Sequence, residues 1–136
     1  MTGRSFDPGA PVAYAWAGDW LDAFAAARTS HAGDAFVALF GDNADLRADP
    51  FEAPLSGSNA IRAYLGRCAE VETEADLTIE RHWVSGATIL AVWHANLVLR
   101  SDRAHVQEAG FLTAEISAGR CSRLRLWTVA RGSARG

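Results

Sequence analysis

The chain has 136 residues, of which 49% are hydrophobic and 21% charged, with a formal net charge of −3. That length gives one domain with a single sizeable core, and the charge leaves no footprint for nucleic acid or an anionic membrane. All 13 basic side chains are arginine. Without lysine, this chain has no group for a Schiff base or for lysine-held pyridoxal chemistry.

No apolar run approaches the ~18 residues of a membrane span, and Met1 to Pro11 lacks the basic-then-apolar pattern of a signal peptide. Residues 1–13, with Gly, Pro and Ser, read as a loose arm. Cys68 and Cys121 lie far apart and form no CxxC; two free buried thiols in a reducing cytoplasm is the reading that follows.

From Tyr14 to Arg28, Trp16, Trp20, Phe24 and Ala27 recur on one helical face. Thr29 or Ser30 can cap a second helix carrying Phe36, Val37, Leu39 and Phe40 and ending at Gly41. A short strand follows through Leu46 to Asp49. Because Pro50 disfavours the α region for the residue before it, Asp49 is expected on a strand or strand-like turn, with its side chain held to one face. Ser58 or Asn59 caps a third helix from Ala60 to about Glu70.

From Leu77 the apolar period shifts from about four to two. Leu77 to Val84, Thr88 to Arg100, Val106 to Ser117 and Arg123 to Ala130 read as strands. Ser85-Gly86, Ser101-Asp102-Arg103 and Ala118-Gly119 are the turns between them. Three helices followed by an antiparallel meander make an α+β domain over residues 14–130, with 131–136 as a tail. Both faces of Thr88 to Arg100 carry apolar residues. One face needs a cover other than the helices, so a homodimer through the outer sheet face is expected.

Asp49-Pro50, Pro54, Ser56-Gly57, Ala60-Ile61-Arg62 and Tyr64 form one pattern. Ala118-Gly119-Arg120-Cys121 and Leu124-Arg125-Leu126-Trp127 form a second. Together they resemble the nuclear-transport-factor-2-like superfamily, in its branch of ketosteroid-isomerase-like and SnoaL-like polyketide-cyclase-like proteins, over residues 14–129. The resemblance implies a cone, with three N-terminal helices on a curved antiparallel sheet enclosing a pocket. It also implies an apolar, carbonyl-bearing ligand and proton transfer on carbon: isomerisation, cyclisation or dehydration. Asp49 falls at the position of the isomerases' general base. Arg47, two residues back on the same strand face, would pair with it and weaken it as a base. The positions of the isomerases' two oxyanion donors fall on Phe24 or Ala26 and on Phe111 or Leu112. None of these can donate to an enolate oxygen, where one such donor is worth ~3–4 kcal/mol.

Tyr14, Trp20, Phe24, Tyr64, His94, Glu108 and Leu112 are the candidate pocket residues beside Asp49. Tyr14 would stand at the mouth and Tyr64 on the pocket wall. Glu108 shares a face with Val106, Gly110, Leu112, Ala114 and Ile116, which would put a second ionisable group inside. A non-catalytic reading stands beside these: a carrier of the same fold, or a dimer whose sheet face binds a partner. The four histidines show no zinc spacing, and no nucleotide, P-loop or hydrolase motif occurs, so neither a metal nor a cofactor is expected. Arg100-Ser-Asp102 is similar to the Arg-x-Asp of limonene-epoxide-hydrolase-like relatives, but it falls in a turn.

Overall fold

A computed structural model describes residues 10–132, with side chains from residue 15 onward. Helix α1 (Ala10–Ser30) and the five-residue α2 (Gly33–Val37) precede strand β1 (Phe40–Arg47). A two-residue strand β2 (Leu55–Ser56) leads into α3 (Ser58–Val71). Four long strands then run as a meander: β3 (Glu72–Ser85), β4 (Thr88–Leu99), β5 (His105–Ser117) and β6 (Arg120–Gly132).

The six strands form one open sheet in the order β2-β1-β6-β5-β4-β3. The sheet is mixed, because β1 runs parallel to β6, with Asp45 opposite Arg123 and Arg47 opposite Arg125. The first strand in sequence therefore lies beside the last. Local periodicity cannot report a pairing separated by some eighty positions.

Boundaries depart from the expectations for local reasons. The N-terminal helix begins at Ala10, inside the segment expected to be a loose arm. Tyr14 belongs to its backbone, and the Tyr14 side chain lies outside the described residues. The second helix stops at Val37 instead of Gly41, since Phe40 is already in β1. There Phe40 packs at 2% exposure against Phe36 and Trp20. The cap of α3 is Gly57, at φ +89°, not Ser58 or Asn59. Thr29 caps no helix; its hydroxyl accepts from the Leu77 amide at 3.1 Å and ties α1 to β3.

The inner face of the sheet packs on the helices. Ile89, Ala91, Trp93, Ala95 and Leu97 of β4 are all buried, as are Leu112, Ala114 and Ile116 of β5. Trp20, Phe24, Phe36 and Phe40 stack and tilt against one another beneath them. Removing such side chains from water is the main favourable term in folding, at ~25 cal/mol per Å². The alternating burial of β4 and β5 sets register, since a slip of one residue would turn this face to solvent.

Candidate functional site

Between α1, α3 and the inner face of the sheet lies a cavity of about 360 Å³, near the lower end of the ~300–1,000 Å³ common for ligand sites. Its walls are Phe24 and Arg28 of α1, Tyr64, Arg67 and Cys68 of α3, and Leu77, Trp93, Glu108, Leu126 and Thr128 of the sheet. Ala48, Val71 and Glu72 complete the lining.

Register explains the gathering. Trp93 pairs with Gly110, Gly110 with Thr128, and Glu108 with Ala95, so Trp93, Glu108 and Thr128 face inward on three adjacent strands. On α3, Tyr64 and Cys68 stand one helical turn apart on the side facing the sheet. On α1, Phe24 and Arg28 are related in the same way.

The polar part has two components. Arg28 donates two hydrogen bonds to Glu72, at 2.7 and 2.6 Å, and His31 Nε2 lies 2.9 Å from the same carboxylate. Both Arg28 and Glu72 are buried. Burial alone would raise the Glu72 carboxyl, but the hydrogen bonds from Arg28 and His31 hold it below the usual carboxylate range. Glu108 is the second component. It forms no hydrogen bond or ion pair with the described residues. Burial pushes it up, Arg28 draws it down and Glu72 adds to the rise, for a net upward displacement. Burial likewise raises the Tyr64 hydroxyl and the Cys68 thiol, which lie beside each other. Both cysteines are free, and burial pushes the Cys121 thiol up to about 12.

The structure distributes the sequence candidates widely. Phe24, Tyr64 and Glu108 line the cavity. Trp20 and Leu112 do not: Trp20 is spent in the aromatic core, its Nε1 donating to the Leu39 carbonyl at 3.2 Å, and Leu112 is fully buried. His94 faces the outer side of the sheet, where its Nδ1 lies 3.3 Å from Glu80. It borders an open outer groove of about 530 Å³ with Asn96, Gln107 and Arg131.

Asp49 stands apart from this cavity, and its expected inward, strand-bound position is not what the structure has. Strand β1 ends at Arg47, and Asp49 is an exposed turn residue. Its carboxylate accepts from the Phe51 amide at 2.9 Å, and its carbonyl accepts from the Glu52 amide at 3.0 Å. A proline after Asp favours just such a turn, in which the Asp side chain satisfies the backbone two residues on. The sequence motif thus reads equally well as turn chemistry. No ion pair joins Asp49 to Arg47 among the described residues.

Sequence reading missed Arg28, Glu72, Cys68 and Arg67. A charged residue at the end of an amphipathic helix reads as solvated. Only the 44-residue contact between Arg28 and Glu72 shows otherwise. No group of His, Cys, Asp and Glu among the described residues could hold a metal ion. No helix among them is long and apolar enough to cross a membrane.

This helix-backed sheet with an interior pocket defines a SnoaL-like domain. Residues 19–124 match the model of that family, and the chain belongs to it, within the nuclear-transport-factor-2-like superfamily. Solved structures share the fold at low identity. A putative SnoaL-like polyketide cyclase from Shewanella denitrificans is 15% identical, with 83% of this chain and 90% of that one covered at a TM-score of 0.73. An LEH-like epoxide hydrolase from Mycobacterium tuberculosis is 20% identical, with 85% and 84% covered at a TM-score of 0.71. A hypothetical protein from Catenulispora acidiphila with a ketosteroid isomerase-like fold, in complex with trimethylamine, is 15% identical, with 79% and 83% covered at a TM-score of 0.73. No curated protein matches the chain.

Proposed function

We propose that this protein binds a small apolar, carbonyl-bearing molecule in the inner cavity and moves a proton on its carbon skeleton. The observation that carries this is Glu108, a carboxyl without a hydrogen bond or ion pair among the described residues, in a lining that sets Phe24, Tyr64, Trp93, Leu77 and Leu126 beside the mutually paired Arg28 and Glu72. A carboxylate displaced upward by burial is a stronger base, nearer the operating pH. It would take a proton from the carbon beside the carbonyl and return it to another carbon of the same ligand. In this reading Glu108 replaces Asp49, the base expected from the motif, since Asp49 is exposed and outside the cavity lining. Isomerisation, cyclisation and dehydration all begin with that step. The SnoaL-like cyclase among the structural relatives is consistent with the class.

Deuterium exchange at the α-carbon of 1-tetralone, followed by NMR, tests the assignment. Exchange should occur with the native protein and with Asp49→Asn, and vanish with Glu108→Gln. Loss in Asp49→Asn with retention in Glu108→Gln would reverse it.

One feature favours a second reading, a carrier without turnover. The positions expected for oxyanion donors hold Phe24 and the buried Leu112, which cannot donate. Binding of the ketone with no exchange in any variant selects it.

Under either reading the chain is a cytoplasmic homodimer. Trp83, Trp127 and Val129 on the outer sheet face are 38%, 37% and 74% exposed, and Trp127 packs on Phe111 to extend the apolar surface. Light scattering at micromolar concentration should give twice the chain mass; a monomeric mass counts against it.

A further inference from the structure

Among the described residues lining the inner cavity, Trp93 holds a buried donor, its indole N–H, that has no acceptor. Trp93 is 4% exposed, and its Nε1 is enclosed by protein without a hydrogen-bond partner. Trp20, also buried, shows the contrast, since its Nε1 donates to the Leu39 carbonyl. Leaving such a donor unpaired costs ~1–3 kcal/mol, and a hydrocarbon side chain of similar shape would avoid that cost.

The fold makes a place for this indole. Opposite Trp93 on β5 stands Gly110. A Cβ there would lie 2.6 Å from Trp93 Cζ2 and would collide with the Trp127 carbonyl. Only glycine lets the ring lie across β5, with its nitrogen edge close to the strand. The next inward residue along β5 is Glu108, whose side chain has no hydrogen bond or ion pair to hold it among the described residues. A rotation of Glu108 about its own side-chain bonds is therefore unopposed by any bond that must break.

We propose that Trp93 is the ligand-anchoring residue of the cavity, with Nε1–H donating to an uncharged acceptor oxygen of a flat, one- or two-ring ligand whose face lies on the indole. This rests on the pocket reading above and adds the atom that selects the ligand. The acceptor is an uncharged ketone, ester or ether oxygen. Arg28 has both its terminal nitrogens on Glu72, so its charge is already matched inside, and Arg67, the other guanidinium of the lining, is exposed to solvent. An anionic oxygen would also face the Glu72 and Glu108 carboxyls. The modest volume, about 360 Å³, sets the limit on ring count.

The test uses 1-tetralone and tetralin, which share a ring system and differ in one oxygen. Binding is followed by indole proton–nitrogen NMR of the full chain, with the Trp93 signal assigned through Trp93→Phe. The native protein should bind 1-tetralone about three- to tenfold tighter than tetralin, the range of one net hydrogen bond. The Trp93 Nε1 proton should move downfield with 1-tetralone only, because both ligands bring the same aromatic ring current. In Trp93→Phe the preference for 1-tetralone over tetralin should disappear, both ligands losing the same stacking surface. The affinity difference between the two ligands on the native protein stands even where Trp93→Phe folds poorly. Equal affinity for the two ligands overturns the anchoring role and leaves the pocket reading intact. So does ketone binding that leaves the Trp93 signal in place. Failure of both ligands to bind overturns the pocket reading and this inference together.

Discussion

The packed end of the interior and its open end are made from the same elements, yet they are chemically opposed. In the packed end, Leu21 of α1 lies in one buried cluster with Ile89 of β4 and Leu112 of β5, all at 1% exposure or less, and Phe24 closes that cluster toward the cavity. One helical turn beyond Phe24, α1 presents Arg28, and four residues back from Leu112, β5 presents Glu108 on the same face. There the walls part, and a salt bridge, an unpaired carboxyl and an unpaired indole N–H border a cavity. Stability is concentrated at one end so that the other can hold polar groups at the edge of an empty space. Continuous elements transmit the rigidity of the first to the second.

Substitutions can break that division. The largest losses should come from removing one member of the buried pair or one packed ring. Arg28→Ala leaves the buried Glu72 with His31 alone and should cost ~3–5 kcal/mol by urea denaturation. Phe24→Ala should cost a similar ~3–5 kcal/mol through the cavity it opens. The two ends separate in the compensating double variant. Arg28→Met with Glu72→Leu should recover most of the stability lost by Arg28→Ala, because a buried ion pair is often replaceable by apolar packing. No second substitution should rescue Phe24→Ala in this way.

The pH dependence gives a smaller effect. Glu72 has a folded pKa below its unfolded value of about 4.3. Its contribution is therefore present above that value and lost as pH falls through the folded pKa. The double variant lacks this carboxylate, so its unfolding midpoint should fall less steeply below about pH 4 than that of the native chain. Parallel acid limbs would show that the pair is not what acid disrupts.

Glu108 has the opposite sign. Its folded pKa is raised, so the folded state binds the proton more tightly and stability falls as pH rises from the unfolded toward the folded value. Glu108→Gln should raise Tm at pH 7 by about 1–3 °C and change it little at pH 4. A drop in Tm at pH 7 would mean that the carboxylate has a stabilising partner.

The smallest effect belongs to Asp49. Asp49→Asn keeps an acceptor for the Phe51 amide and should be neutral, and Asp49→Ala should cost ~0.5–1.5 kcal/mol. Neither should alter 1-tetralone affinity. A tenfold loss in either variant would draw the loop into the ligand site.

The amino-acid sequence by itself determined the α+β order, the sheet meander and the apolar faces of its strands. Those rest on periods of 3.6 and 2 and on Gly turns, and they are local properties. The period of two also set Glu108 on the inward face, whereas Phe24 and Tyr64 were singled out by the family resemblance. Tertiary structure alone decided the rest. The β1–β6 pairing, the burial of Arg28 against Glu72 and the unpaired Trp93 donor depend on contacts far apart in sequence. Asp49 marks the boundary between the two. Its motif specified a proline turn, and a turn residue faces the cavity or solvent according to where the strand before it ends. Here β1 ends at Arg47, and Asp49 faces out.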